Sequence, residues 1–149
     1  MPAMLSRRRG RPSAFPRPVS HWFLIGVELF VGANAVYGGI GLMVNGMGMP
    51  MDWLVGTPFE SWLLPGVFLL LIIAVPMVAA AVAELVRSPW AYLVSLAAGL
   101  LQIGWIVGQV GILQRYFFLQ PLLLAAGIAV AALAWWSHRG QKLLPTTES

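Results

Sequence analysis

The chain has 149 residues, of which 59% are hydrophobic and 9% charged, and its mean hydropathy is +0.81. A soluble domain carries about a quarter charged residues, so a water-exposed globular fold is excluded; the lack of cysteine excludes disulfides, thiolate metal sites and cysteine nucleophiles. The net charge of +4 and pI near 10.4 would suit nucleic acid, but the cations flank apolar runs, so no nucleic-acid partner is expected.

Residues 1–20 read as a basic arm. Arg7, Arg8, Arg9, Arg11 and Arg17 supply the charge, and Pro12, Pro16 and Pro18 favour an extended, disordered chain. Such an arm sets membrane topology and touches anionic lipid headgroups. Four apolar runs follow, predicted as helices over about 22–44, 60–86, 90–113 and 117–137, inside a transmembrane domain of residues 21–138. About 20 helical residues cross the hydrocarbon core, so each run is long enough. The expected fold is all-α: a polytopic antiparallel four-helix bundle in the cell (inner) membrane. Residues 139–149 are the predicted polar tail.

Charge fixes the expected orientation. With the N-terminus inside, the arm, Arg87, Arg139 and Lys142 all face the cytoplasm and Arg115 faces out, which predicts N-in, C-in. Trp22, Trp90, Trp135 and Trp136 then fall at the inner interface, with Trp53, Trp62, Tyr116 and Phe117 at the outer one. Trp105 falls mid-helix, where packing is expected. Ala33-Asn34-Ala35 has the small-x-small form of a signal cleavage site. The apolar run continues past it to Val44 and Glu28 interrupts the would-be core, so cleavage is not expected.

In the first helix, Glu28 is the most informative residue. It lies roughly 10 Å in from the inner end. Charges near a helix centre cost about 2.5–3.5 kcal/mol on insertion scales, so this one needs a reason. Gly32, Ala35 and Gly39 follow at spacings of four, three and four, a small-residue stripe on the same face, which points Glu28 into the bundle. Two readings stand: a proton-coupling or cation-binding carboxylate, or a structural acid, either neutral or paired with Arg87. Asn34 lies about 120° around the same helix; it is predicted to be a polar bundle-interior residue bonded to a different neighbour.

The outer loop, Asn45 to Gly56, holds Met47, Met49 and Met51 in an M-x-M-x-M spacing. Thioethers favour Cu(I), but without cysteine or a nearby histidine this is a thin metal site, and methionine is an ordinary apolar filler. No cofactor is expected. Thr57-Pro58-Phe59-Glu60 reads as a capping box that starts the second helix near Pro58. Pro65 and Pro76 then lie inside that helix and should kink it. Near its end, Glu84 stands three residues before Arg87, close enough to pair or to snorkel, and could share the role of Glu28.

Ser95, Gln102 and Gln109 recur every seven residues on the third helix and so share a face, predicted to meet other helices or a wet cavity. Gly104 and Gly108 form a GxxxG pair on another face, suited to close helix contact or a homo-oligomer. Gly127 and the alanines of the fourth helix offer more close-packing surface. His21 and His138 fall near the inner interface without further ligands, which makes no recognisable metal site. Zinc-protease, phosphate-loop and Ser-His-Asp patterns are all missing, so no enzyme activity is expected.

The stretch Val36-Tyr37-Gly38-Gly39, Leu54-Val55-Gly56-Thr57-Pro58-Phe59 and Leu64-Pro65-Gly66 resembles small uncharacterised four-helix membrane proteins of bacteria. The resemblance covers the first two helices and their loop, and it implies a bacterial membrane protein without implying an activity. The expected function is a non-enzymatic membrane subunit that packs against itself or a membrane partner. The alternative is a proton-coupled exporter using Glu28, because a carboxylate in the first of four helices is similar to the small multidrug resistance transporters. Their wider helix patterns do not match around Glu28.

Overall fold

The computed structural model describes residues 18–116 and 119–142. The expectations for the arginine-rich arm, for Phe117 and for the end of the tail lie outside the described residues. Among those described, the chain is helical and strand-free, with four helices long and apolar enough to cross a membrane. We number them α1 (Val19–Asn45), α2 (Leu63–Leu85), α3 (Ala91–Leu113) and α4 (Leu119–Lys142). α4 therefore carries on past residue 137, into what was expected to be tail.

Each helix end has a local cause. Pro18 sits at the N-cap of α1 with φ −59°, already shaped for a helix start. Gly46 closes α1 in the left-handed region, φ 63°, and returns its N–H to the carbonyls of Gly41 and Leu42. A Cβ on Gly46 would also come within 2.6 Å of the Trp62 ring, so glycine is required there twice over. Two short 3₁₀ turns follow, Gly46–Gly48 and Met51–Leu54.

The expected capping box does not start α2. The Thr57 hydroxyl donates to Leu54 O (2.7 Å) and accepts from Phe59 N (3.3 Å), so it is spent on the loop. The helix starts instead at Leu63. Pro65 explains why. From Leu63 it falls in the first turn, where a missing N–H costs nothing; from Pro58 it would break an interior hydrogen bond. Pro76 follows a π turn over Leu70–Ala74, in which Val75 N–H reaches back to Leu70 O. The wider turn absorbs the proline distortion inside a span that stays helical from end to end.

Glycines set the tightest helix contacts. A Cβ on Gly39 of α1 would lie 2.7 Å from Leu70 Cγ, and one on Gly66 of α2 would lie 2.6 Å from Gly39 O. On α3, a Gly99 Cβ would meet Ala131 N at 2.8 Å; on α4, a Gly127 Cβ would meet Gln102 Cγ at 2.8 Å. A Cβ on Gly104 or Gly108 would meet nothing within 4 Å among the described residues. The core between the helices is small and apolar: Leu24, Val31, Ala35, Ile73, Ala74, Met77, Ala80, Ala98 and Val130. Phe23, Phe30, Leu71, Leu100, Val107 and Leu122 face outward and are exposed.

Contacts at the two ends tie distant segments together. Arg115, after α3, lies 5.8 Å from the Trp53 ring in the α1–α2 loop. At the opposite end, Tyr92 at the start of α3 stacks on His138 near the end of α4, with centroids 3.9 Å apart.

The glycine contacts give a direct test. Gly39→Leu or Gly66→Leu should lower stability in detergent by about 1–3 kcal/mol or more through overpacking. Gly104→Leu should leave the melting temperature unchanged. Equal melting of all three variants would show that these contacts do not hold α1 against α2.

Candidate functional site

Helical spacing puts a row of buried residues on one face of α1: Glu28, Val31, Gly32, Ala35 and Gly39. His21 begins this row, seven residues before Glu28. On α2 the buried face runs through Met77, Ala80, Ala81 and Glu84; on α3 it runs through Ser95, Ala98, Gly99, Gln102 and Ile106. Where these faces meet near the His21 end, four polar side chains from three helices come together inside an otherwise apolar bundle.

Glu84 is the hub. His21 Nδ1 lies 3.2 Å from Glu84 Oε2, and the Ser95 hydroxyl donates to Glu84 Oε1 at 3.3 Å. Glu28 is fully buried, and neither of its carboxyl oxygens has a hydrogen bond. The Ser95 hydroxyl goes to Glu84 and gives neither oxygen of Glu28 a hydrogen bond. Glu28 and Glu84 lie on the buried faces of α1 and α2. Two like charges in a poorly solvated pocket are costly, so ionising both carboxyls together is disfavoured there.

Several sequence expectations are corrected here. Neither Glu28 nor Glu84 pairs with Arg87. Arg87 adopts φ 56° just past the end of α2, with its N–H on Glu84 O, and its side chain is exposed. The left-handed turn swings the arginine out, while Glu84 stays on the inner face of the last helical turn. Asn34 is not in the bundle interior either. It is exposed, and its Nδ2 donates to Phe30 O one turn back at 2.7 Å, which satisfies the amide within its own helix.

The α3 stripe divides. Ser95 and Gln102 are buried and Gln109 is half-buried. Gln102 Nε2 donates to Leu123 O of α4 at 3.4 Å, and its Oε1 is buried without a partner. Gly32, Ala35 and Gly39 lie on the α1 face that packs on α2; a Gly32 Cβ would meet Val78 Cγ2 at 3.2 Å. Met47 and Met51 are exposed and Met49 is half-buried. Among the described residues, no three His, Asp or Glu side chains group closely enough to hold a metal ion.

His21 is the member that sequence reasoning left out. Its seven-residue spacing to Glu28 carried the signal, since that interval is two helical turns on one face. Gly66 and Gly99 were also missed as close-packing positions. Gly99 follows Ser95 by four residues and precedes Gln102 by three, so it belongs to the same buried row. No family model, curated protein or solved structure matches the chain.

A buried carboxyl without a hydrogen bond weakens the fold unless it serves another purpose. Glu28→Leu should therefore raise the melting temperature in detergent, because an apolar side chain of similar size suits the pocket better. A clear drop would show that Glu28 holds the helices together.

Proposed function

We propose that this is a non-enzymatic multi-pass protein of a bacterial cell membrane, an antiparallel bundle with both ends in the cytoplasm. Within it, Glu28 takes up and releases a proton and couples that exchange to movement of a second solute. The observation that carries this reading is the fully buried Glu28 carboxyl, with no hydrogen bond to either oxygen. Intramembrane acids that face a bundle interior are a usual feature of proton and ion pathways.

Membrane residence is supported by the distribution of side chains. Large apolar groups such as Phe30, Leu71 and Leu100 cover the outside, and the polar cluster is inside, which suits lipid as the surrounding solvent. The antiparallel order is supported by residue pairing. His21 at the start of α1 meets Glu84 at the end of α2, Gly39 meets Gly66, and Tyr92 meets His138. The N-in, C-in orientation rests on the charge bias across the membrane.

A second reading, a small membrane subunit that binds itself or a membrane partner, is favoured by one observation. A Cβ on Gly104, Gly108 or Gly111 of α3 would meet nothing within 4 Å among the described residues, which leaves a face that another helix could approach.

Proteoliposomes with a trapped pH dye test the first reading. Small organic cations and anions are added in turn against an imposed pH gradient. At least one solute class should move protons with the wild type and fail to do so with Glu28→Gln. Equal proton movement by wild type and variant across all solutes would contradict the proposal.

A further inference from the structure

We infer that the bundle is built as two rigid halves that part at the Arg115 end, and that Glu28 is reached from that end. The inference rests on the proposal that Glu28 exchanges protons, and it assigns the side from which the acid is opened.

The halves are α1 with α2 and α3 with α4. Wherever a Cβ added to a described glycine would meet a close atom, the nearest atoms belong to the same half. In the first half Gly32 faces Val78, Gly39 faces Leu70, and Gly66 faces the Gly39 carbonyl. In the second, Gly99 faces Ala131 and Gly127 faces Gln102. Helices that approach this closely interlock backbone against backbone, which leaves little freedom within a half. The seam between the halves is looser. On its α1–α4 side it opens into a groove of about 260 Å³, with Phe23, Val27 and Phe30 on one wall and Leu122, Ala126 and Ala129 on the other.

The two ends of the seam are tied unequally. At the His21 end, residues 86–90 carry the chain from one half to the other. That turn is closed by Ser88 N–H on Ala83 O (2.9 Å) and Ala91 N–H on Ser88 O (3.1 Å). Beside it, Ser95 of the second half donates to Glu84 of the first at 3.3 Å. A covalent link and a buried hydrogen bond make this end the hinge. At the opposite end the chain never crosses the seam. There the exposed Arg115 of the second half lies over the Trp53 ring of the first, 5.8 Å from its centroid. Gln120 Nε2 donates to Arg115 O at 3.3 Å and so fixes the arginine to α4. A cation–π contact at an exposed site is weak, so this latch gives way before the hinge does.

One wall of the seam already suits water. His21 and Ser95 meet on Glu84, and Glu28 and Gln102 each lie seven residues further along their helices. Both therefore stand about 10 Å from that level, in the direction of the Arg115 end. From this depth Gln102, Gln109 and Gln120 continue along the α3–α4 half to Arg115 itself. Gln102 is 2% exposed and its Oε1 is buried without a hydrogen bond, an acceptor that water satisfies once the halves part. The facing wall, Val31, Ala35 and Ile73 of the first half, is apolar and keeps the closed seam dry.

Spin-label distances measured by double electron–electron resonance, in the full chain in lipid bilayers, test the opening. The chain has no cysteine, so each introduced pair is read without background. Val44→Cys with Ile112→Cys spans the seam at the Arg115 end, and Val19→Cys with Trp136→Cys spans it at the His21 end. Val44→Cys with Leu63→Cys stays within one half. Adding Arg115→Gln should lengthen the first distance and leave the other two unchanged. Ile106→Cys, at a position 3% exposed in the closed bundle, gives a second readout. Its reaction with a water-soluble maleimide should quicken about two- to fivefold in Arg115→Gln, the population change that loss of an exposed cation–π contact supports. If neither readout changes, or if the His21-end pair lengthens instead, the opening is wrong and Glu28 exchange stands. If both respond while Glu28→Gln moves protons as the wild type does, the opening stands and the exchange reading fails.

Discussion

A carboxyl group enclosed by apolar helices, with no hydrogen bond to either oxygen, is the constraint around which the rest of this molecule is arranged. Water would solvate such a group at little cost, whereas a helix bundle cannot unless it supplies a partner. The bundle supplies one to Glu84, through His21 and Ser95, and leaves Glu28 without. The two acids thus sit in one pocket with different surroundings.

Close helix approach makes the pocket possible. Gly39 and Gly66 bring α1 and α2 together, and Gly99 and Gly127 bring α3 to α4, so that short side chains such as Ser95 reach across. Small residues have this role where lipid surrounds a bundle, because helices in lipid gain little from hiding apolar surface. The same logic accounts for the surface. Phe23, Leu71 and Leu122 are exposed, and the buried core is dominated by alanine, glycine and medium-sized side chains. The residues beyond Glu28, among them Val31, Ala35, Ile73 and Val130, are buried and apolar.

Much of the arrangement was legible in the chain itself. Apolar run length placed the four helices, and the interval from Glu28 through Gly32 and Ala35 to Gly39 placed the acid on the packed face of α1. The Ser95–Gln102 interval likewise placed both residues on the buried face of α3. What failed did so where local chemistry offered alternatives of similar energy. Thr57 could cap a helix or close a loop, and Pro65 decided in favour of the loop. Asn34 could cross to a neighbour or bond its own helix, and the nearby Phe30 carbonyl was the cheaper partner. Arg87 could pair with either acid by spacing alone, but the left-handed turn after α2 carried it outward. His21 shows the reverse case, a readable spacing passed over because histidine was weighed only as a metal ligand.

Carbon-13 magnetic resonance of glutamate-labelled protein in lipid bilayers addresses the central claim most directly. The side-chain carboxyl resonance of Glu28 reports whether the group is neutral or ionised. On this account it moves between the two positions as pH is varied across the physiological range, while the bundle stays folded. A resonance fixed at one position throughout that range would contradict it and leave Glu28 a structural residue.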